Sequence, residues 1–322
     1  MAVYTKITSR DIKSIQKNFD IGKITNFKGI KKGIENTNYL IKSIKKRYIL
    51  TIFEKRVKTK DLPFFMNLMS GLAKLNIKCP EPIKNKKGEY IFYVKGKSAC
   101  IVSFLKGKDK KKLTGKECYI VGKSIAKLHL ASRKLRIYRK NSLSISYLKP
   151  IIKKIGKKIE HLNKNLMHLM QIEMNNIKKN WPKKLPTGII HSDLFIDNIF
   201  FYKNKFFGFI DFYFSANDFL AYELATCINA LCFDKRKKGF IFNSSKSSNL
   251  LKGYQSIRIL TKNEKKYFNI LCRGSALRYL TTRSYDYLNT PKSAIIKIKD
   301  PLEYYQKLLF HKKISLFKEY LN

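Results

Sequence analysis

Short runs of β-branched and aromatic residues dominate the first hundred residues. NYLIKSI (38–44) and RYILTIF (47–53) are separated by a basic turn, a pattern typical of a β-hairpin. EYIFYV (89–94) and SACIVSFL (98–105) predict two further strands. Between the two pairs, PFFMNLMSGLAKL (63–75) begins with proline and has apolar residues at helical spacing. The region is therefore predicted to form a small β-rich sheet with a helix.

Helical periodicity takes over from about residue 113. Three long stretches have apolar residues at helical spacing, namely 117–135, 151–180 and 263–288. One β-rich segment, 188–214, interrupts them and contains the sequence HSDLFIDN. The predicted fold class is therefore α+β, with a small β-rich N-lobe and a larger helical C-lobe.

The change from strands to helices occurs near the polar, glycine-containing stretch 105–112. We place the domain boundary there and expect two lobes, 1–105 and 106–322. Ligands commonly bind in the cleft between two lobes. A functional site is therefore expected where segments of both lobes contribute residues.

The charge of the chain is strongly positive. Lysine and arginine number 68 against 22 acidic residues, giving a formal net charge of +46. Only eleven are arginine, and the lysines are scattered along the whole chain. Lys, Ile, Asn, Phe and Tyr, all abundant, have AT-rich codons, so compositional drift explains the excess better than selection for polyanions. Nucleic acid is expected to bind only non-specifically, through net charge.

Composition also excludes several classes of protein. A hydrophobic content of 44% excludes a disordered chain. No apolar run reaches the length of a membrane span, and the start of the chain does not resemble a secretory signal. We therefore expect a cytoplasmic protein that is not membrane-bound. The six cysteines lack metal-ligand spacing, so reduced thiols are expected.

The chemistry-bearing residues lie in the β-rich segment. His191, Asp193 and Asn198 form the pattern H-x-D-x-x-x-x-N, and Asp211 follows an apolar strand. Phosphoryl transfer needs one carboxylate to accept the proton of the attacking hydroxyl, and an amide oxygen with a second carboxylate to hold Mg²⁺. A lone H-x-D pair would be explained by an ordinary polar hairpin connection. The complete set of four residues predicts kinase-type catalysis.

These motifs resemble the aminoglycoside and choline phosphotransferase superfamily, whose members are relatives of the protein kinases. Within it, the chain is similar to the bacterial homoserine kinases over nearly its whole length. Blocks that carry this closer resemblance are MAVYT, IDFYFSANDFLAYELA and LRYLTTRSYDYLNTP. The resemblance implies a protein-kinase-like fold, with a nucleotide-binding N-lobe and a catalytic and substrate-binding C-lobe. It also implies ATP as co-substrate, Mg²⁺ as cofactor and L-homoserine as acceptor.

The same resemblance implies individual roles for the motif residues. Asp193 is the expected catalytic base, and Asn198 and Asp211 are the expected Mg²⁺ ligands. His191 is expected to support the loop by hydrogen bonding. Asp218 and Glu223 match positions that support the floor of the site, although the family usually has Asp where this chain has Glu223.

The nucleotide side of the site follows the family less closely. Gly29 and Gly33 precede a strand and are expected to let a loop close over phosphates, although a plain hairpin turn explains them equally well. Thr51 stands where the family places a strand lysine, and Lys55 shares its strand face. Lys55 is therefore the candidate phosphate ligand, with a surface lysine as the alternative. The segment expected to hold adenine consists of Ser103, Phe104 and Leu105.

The amino-acid acceptor needs a cation for its carboxylate and an anion for its ammonium group. Arginine is the natural carboxylate clamp, and Arg273, Arg278 and Arg283 lie in one helix-like stretch. We expect Arg283 to bind the carboxylate, with Asp286 or Asp218 near the ammonium group. Each arginine could equally pair with a neighbouring helix.

Other interpretations remain open at this stage. The acceptor could be another alcohol, such as an aminoglycoside, choline or a sugar amine. A protein of another class, a basic nucleic-acid-binding module on a kinase-like fold, is also compatible with the net charge. The sequence GKECYIVGKS is not a phosphate-binding Walker loop, because its spacing is wrong and its pattern is helical.

Overall fold

The structure is a computed structural model of the chain, and it describes residues 4–30, 35–54, 57–237, 239–290 and 298–322. Helices and strands alternate irregularly along the chain, in the order α1 (Ser9–Asn18), β1 (Ile24–Gly29), β2 (Thr37–Ser43), β3 (Arg47–Ile52), α2 (Leu62–Lys74), β4 (Ile91–Val94), β5 (Lys97–Ser103), α3 (Gly115–Ser132), α4 (Leu148–Ile155), α5 (Leu166–Asn180), β6 (Thr187–Ile190), β7 (Ile199–Tyr202), β8 (Lys205–Phe209), β9 (Ala216–Phe219), α6 (Leu220–Leu231), β10 (Phe233–Arg236), β11 (Gly239–Phe242), α7 (Ser244–Gln255), α8 (Lys262–Lys266), α9 (Phe268–Asn289) and α10 (Leu302–Lys313). The predicted α+β class is confirmed, with the first five strands in the first third of the chain.

Two compact units make up the described chain. The first contains residues up to Lys108 together with 135–139 and 200–213, and the second contains the remaining residues. The division at residue 105 stays a prediction about domain organisation.

A five-stranded antiparallel sheet forms the first unit, in the strand order β1-β2-β3-β5-β4. Side chains alternate between its faces, so that Ile41, Leu50 and Ile101 are fully buried. They pack in one apolar cluster with Ile15 and Phe19 from α1 and the turn after it. The strands predicted at 38–44, 47–53, 89–94 and 98–105 are all present, and so is helix α2.

Helix α9 is the centre of the second unit. Helices α4, α5, α6 and α10 all pack against it. The apolar core there includes Leu277 and Leu280 of α9 together with Met170 of α5 and Leu308 of α10. This long buried helix carries Arg278, Tyr279 and Arg283 into the interior.

The helix-like stretch 151–180 contains two separate helices. Helix α4 ends at Ile155, and Gly156 has a positive φ of 56° together with a ψ of −162°. Helix α5 begins only at Leu166, after Asn165, whose φ is 64°. Glycine adopts positive φ angles without steric cost, and asparagine tolerates the left-handed helical region better than most residues, so Gly156 ends one helix and Asn165 precedes the other.

Helices α3 and α7 approach each other through two glycines. A Cβ atom placed on Gly122 would lie 2.0 Å from the carbonyl oxygen of Leu250, and one on Gly253 would lie 1.9 Å from that of Tyr119. The glycine of the GKS sequence therefore lies within a helix, as predicted, and it permits close backbone packing.

The six cysteines are all buried and unpaired. Burial raises the pKa of Cys79, Cys100 and Cys118 to about 12, so these thiols stay protonated. Within the described ranges, no group of His, Cys, Asp and Glu residues could hold a metal ion by itself. No helix in the described part of the chain is both long and apolar enough to cross a membrane.

Candidate active site

The predicted catalytic loop follows β6. Strand β6 pairs antiparallel with β9, and this pairing places Asp218 opposite Gly188. The chain leaves β6 at Ile190 and passes through His191, Ser192 and Asp193. It then makes a short turn before β7, in which the backbone N–H of Phe195 donates to the carbonyl of Asp193 at 2.9 Å.

Ser192 has a left-handed backbone with φ of 68°. This conformation is unfavourable for a residue other than glycine and persists only where the surroundings hold it. The N–H of Ser192 donates to the buried carboxylate of Glu223 at 3.1 Å. Its carbonyl oxygen accepts from Nη1 of Arg278 at 3.1 Å and from the hydroxyl of Tyr279 at 3.0 Å. Helices α6 and α9 therefore hold opposite sides of the same loop residue.

Glu223 reaches the loop from the first turn of α6. Its carboxylate also accepts the backbone N–H of His191, and it is fully buried. Nε2 of His129, on α3, lies 3.9 Å from the same carboxylate, while Nδ1 of His129 is 2.9 Å from the hydroxyl of Tyr254. Burial lowers the pKa of His129. The glutamate therefore reaches two loop amides.

The carboxylate of Asp193 has a donor near each of its oxygens. The hydroxyl of Tyr279 lies 3.3 Å from Oδ1, and Nδ2 of Asn198 lies 3.4 Å from Oδ2. Burial raises the pKa of Asp193, and the positive charge of Arg278 opposes this change. The backbone N–H of Asp193 also donates to Nδ1 of His191, at 3.4 Å. The structure thus brings Asp193, Asn198 and His191 together in one loop.

Asn198 turns its amide nitrogen towards the loop. Nδ2 donates to the carbonyl oxygen of Asp193 at 2.8 Å. Its side-chain oxygen is therefore the atom with which it could bind a cation, and oxygen is the ligand that Mg²⁺ prefers.

Asp211 belongs to the first unit, two residues beyond the end of β8. Its backbone is left-handed, with φ of 65°. Three residues before it, Gly208 passes so close to the carbonyl of Lys78 that a Cβ atom would lie 2.3 Å from that oxygen. Close packing and an unusual backbone angle therefore determine how the chain reaches Asp211.

The candidate acceptor residues lie in several different environments. Asp218 accepts from Nδ2 of Asn141 at 2.7 Å, and burial raises its pKa. Arg283 is nearly buried and donates from Nη1 to Glu303 at 2.6 Å and to the carbonyl of Asp300 at 3.1 Å. Asp286 lies one turn further along α9 and is partly exposed. Arg283 therefore has protein partners already, and its role as carboxylate clamp stays a prediction.

The residues predicted to bind the nucleotide belong to the first unit. Gly29 is the last residue of β1 and pairs with Tyr39, whereas Gly33 and Lys55 lie outside the described residues. Thr51, in place of the strand lysine, donates from its hydroxyl to Oδ1 of Asn38 at 2.8 Å. The nucleotide roles of these residues stay predictions.

The segment expected to hold adenine begins at the end of β5. The N–H of Ser103 donates to the carbonyl of Glu81 at 2.8 Å, and that of Phe104 to the carbonyl of Arg47 at 3.2 Å. The guanidinium group of Arg47 stacks on the ring of Phe104 at 4.2 Å. The role of Ser103, Phe104 and Leu105 in binding adenine stays a prediction.

Sequence reasoning missed Tyr279. Its hydroxyl contacts the candidate base, but its place between Leu277 and Leu280 gave it the pattern of a core aromatic residue. Arg278 was considered only as an alternative carboxylate clamp. The signal that could have indicated both is that Arg278 and Tyr279 follow one another within a largely apolar run, Ser275–Leu280.

Comparison with known proteins identifies the family. Residues 26–239 match the phosphotransferase enzyme family. The chain is 43% identical over 320 residues to the homoserine kinase of Agrobacterium fabrum, covering 99% of this chain and 98% of the relative. The chain belongs to the homoserine kinase family. It is also 40% identical over 321 residues to the homoserine kinase of Paramagnetospirillum magneticum, covering 98% of both.

Solved structures show the same fold at low sequence identity. A spectinomycin phosphotransferase in complex with ADP and spectinomycin has a TM-score of 0.66 and 14% identity, covering 98% of both chains. An amicoumacin kinase has a TM-score of 0.70 and 14% identity, covering 96% of this chain and 92% of its own. The expected protein-kinase-like fold, with a small β-rich N-lobe and a helical C-lobe, is therefore confirmed.

Proposed function

We propose that this homoserine kinase family member transfers the γ-phosphoryl group of ATP to the hydroxyl of L-homoserine, giving O-phospho-L-homoserine for threonine biosynthesis. The observation that carries the proposal is that the chain matches a homoserine kinase over nearly its whole length and has Asp193 in its predicted catalytic loop. Its carboxylate lies beside Tyr279 and Asn198, on a loop whose backbone is bound by buried charged groups.

Asp193 would accept the proton of the homoserine hydroxyl as that oxygen attacks phosphorus. A base must be ionised and must be oriented towards the attacking oxygen. Arg278 favours the ionised form, and the hydrogen bonds from Tyr279 and Asn198 restrict the rotation of the carboxylate. Direct transfer to the hydroxyl requires no covalent phospho-enzyme.

Magnesium is part of the same proposal. The side-chain oxygen of Asn198 and the carboxylate of Asp211 are the proposed ligands, and both are hard oxygen donors. Bound magnesium would neutralise charge on the nucleotide phosphates. The orientation of Asn198, with its nitrogen towards Asp193, fits this assignment.

The remaining assignments are secondary. Arg283 would bind the acceptor carboxylate, with Asp218 or Asp286 near its ammonium group. The segment Ser103, Phe104 and Leu105 would bind adenine. We also propose a cytoplasmic location and non-specific binding of nucleic acid through the net charge of +46.

A coupled assay of ADP release tests the function. It compares L-homoserine with L-serine, L-threonine, choline and an aminoglycoside, using Asp193→Asn as the blank. Turnover with homoserine alone is expected, with kcat reduced about 10³-fold or more in the blank. Asp197→Asn, in the same loop, is the matched control and should stay within about threefold of the native protein.

Other outcomes would discard different parts of the proposal. Turnover with another alcohol would keep Asp193 as the base and would reject homoserine as the acceptor. Loss of activity in Asp197→Asn equal to that in Asp193→Asn would reject the assignment of the base.

A further inference from the structure

The hydroxyl of Tyr279 lies within reach of two groups of the catalytic loop. It is 3.0 Å from the carbonyl oxygen of Ser192 and 3.3 Å from Oδ1 of Asp193. A tyrosine hydroxyl has one proton, so it can bind either oxygen or share the proton between them. Because Nη1 of Arg278 also donates to the Ser192 carbonyl, that oxygen keeps a partner when the hydroxyl turns towards Asp193.

The ring of Tyr279 is held on several sides. The ring of Phe195 packs edge-to-face against it, with 4.9 Å between the ring centroids, and the centroid of the Tyr304 ring lies 5.0 Å away. The guanidinium group of Arg278 lies 4.8 Å from the ring centroid. The residue is only 8% exposed. Its hydroxyl therefore occupies one place relative to the loop, and it is not a mobile surface group.

The carboxylate of Asp193 depends on this contact for its orientation. Rotation about the bond to a carboxylate has a broad energy profile, so the carboxylate needs partners to stay in one plane. Asn198 provides the contact at Oδ2, and Tyr279 provides the contact at Oδ1. Both donors leave space for a further hydrogen bond, since each carboxylate oxygen can accept more than one.

We propose that Tyr279 is a positioning residue, whose hydroxyl orients the carboxylate of Asp193 towards the acceptor hydroxyl. The proposal rests on the proposed function, because it gives Asp193 the role of base. A displacement of about 1 Å at a reacting group can cost about 10²-fold in rate. Loss of the hydroxyl should therefore lower kcat about 10- to 100-fold, with little change in the KM for either substrate.

The test compares side chains at position 279 that differ in hydrogen-bond donation. Tyr279→Phe removes the hydroxyl, and 4-fluorophenylalanine fills its space without a proton to donate. The side chain of 4-aminophenylalanine restores a donor at the same place. The matched control is Tyr304→Phe, because the buried hydroxyl of Tyr304 has no hydrogen-bond partner among the described residues. Steady-state kcat, both KM values, single-turnover rates and thermal midpoints are measured.

The proposal is supported if the rates of the variants follow hydrogen-bond donation at position 279. Phenylalanine and 4-fluorophenylalanine should lower kcat and the single-turnover rate about 10- to 100-fold, with both KM values within about threefold of native. The 4-amino side chain should recover most of the rate, and Tyr304→Phe should stay close to native. If Tyr279→Phe does not fold, the 4-fluoro and 4-amino pair provides the same comparison at constant size.

Two results would overturn the proposal. Equal rates for the 4-fluoro and 4-amino proteins would show that donation from position 279 is irrelevant to catalysis. A fall in thermal midpoint with unchanged kcat would assign Tyr279 to stability alone. Failure of the proposed function is distinguishable, because native protein would then show no turnover with homoserine.

Discussion

Nη1 of Arg278 lies 3.1 Å from the carbonyl oxygen of Ser192, within the hydrogen-bonding range. The N–H of the same serine donates to Glu223, so a buried cation and a buried anion bind the two polar groups of one residue. Charge-assisted hydrogen bonds are stronger than neutral ones and can hold a backbone in an unfavourable conformation. The position of Asp193, the next residue, follows from this arrangement.

Glu223→Gln should destabilise the protein and reduce its activity. An amide has one acceptor oxygen in place of two charged ones, so one of the N–H groups of His191 and Ser192 loses its partner. We expect a loss of about 2 kcal/mol in the free energy of unfolding, measured by urea titration. Glu81→Gln at an exposed position is the control. Equal midpoints for the two variants would contradict the assigned role of Glu223.

Gly122→Ala should separate α3 from α7. The added methyl group would meet the carbonyl oxygen of Leu250, and backbone atoms cannot move aside as a side chain can. Overpacking of this kind costs about 1–3 kcal/mol, measured by urea titration. Gly115→Ala, at the start of the same helix, should change stability by less than about 0.5 kcal/mol, because its nearest neighbour is the side chain of Asn249. A tolerated Gly122→Ala would show that the helices do not pack this closely.

His311 should make stability depend on pH. Burial lowers its pKa to about 3, and its ring nitrogens contact Tyr320 and Asn229. In the unfolded chain His311 binds a proton near pH 6.5, whereas in the folded chain it does so only near its lowered pKa. The stability that neutral His311 contributes to the folded chain is therefore complete above about pH 6.5. It is lost by about 1.4 kcal/mol per pH unit as the pH falls from there towards 3.

Replacement of this histidine should therefore flatten the acid side of the stability curve. His311→Gln is expected to lower stability at pH 7 while reducing its further decrease between pH 6.5 and pH 5. The measurement is the urea midpoint across this pH range. The control is His168→Gln, at an exposed position on α5, which should retain the native dependence on pH. A native slope in His311→Gln would assign the acid sensitivity to other groups.

Arg283→Ala should raise the KM for homoserine far more than the KM for ATP. Loss of a hydrogen bond between charged groups costs about 1.5–3 kcal/mol, which is about 10- to 150-fold in binding. Arg273→Ala is the matched control, since this arginine lies on the same helix and donates to Glu173 at 2.6 Å. Equal changes in the two KM values would contradict binding of the homoserine carboxylate by Arg283. The same would follow if Arg283→Ala lost as much stability as the control with no change in KM, and Arg283 would then have only the structural role of its ion pair with Glu303.

Local patterns predicted the sheet of the first unit well. Strands β2 and β3 are continuous β-branched and aromatic runs next to a turn, and their period of two matches the buried residues Ile41 and Leu50. The break at Gly156 was missed, because apolar spacing continues on both sides and a single glycine is a weak signal in a helical pattern. The strands β10 and β11 were also missed, since four-residue strands carry little periodicity.

The candidate site was predictable where its residues are close in sequence. Asp193 and Asn198 are five residues apart, and the motif names them directly. The contact of Tyr279 with Asp193 joins residues 86 apart, and the pairing of Arg283 with Glu303 depends on how α10 packs against α9. Packing between distant segments decides both contacts, and a single sequence does not record it.

Several arginines of this lysine-rich chain have specific side-chain contacts. Those with side chains in ion pairs, stacked on rings or bound to the catalytic loop are Arg47, Arg139, Arg258, Arg273, Arg278 and Arg283. Lysine can replace the charge of these groups but not their planar arrangement of donors. Lysine at position 278 would therefore keep the positive charge beside the catalytic loop but would lose the planar guanidinium group that binds the carbonyl of Ser192.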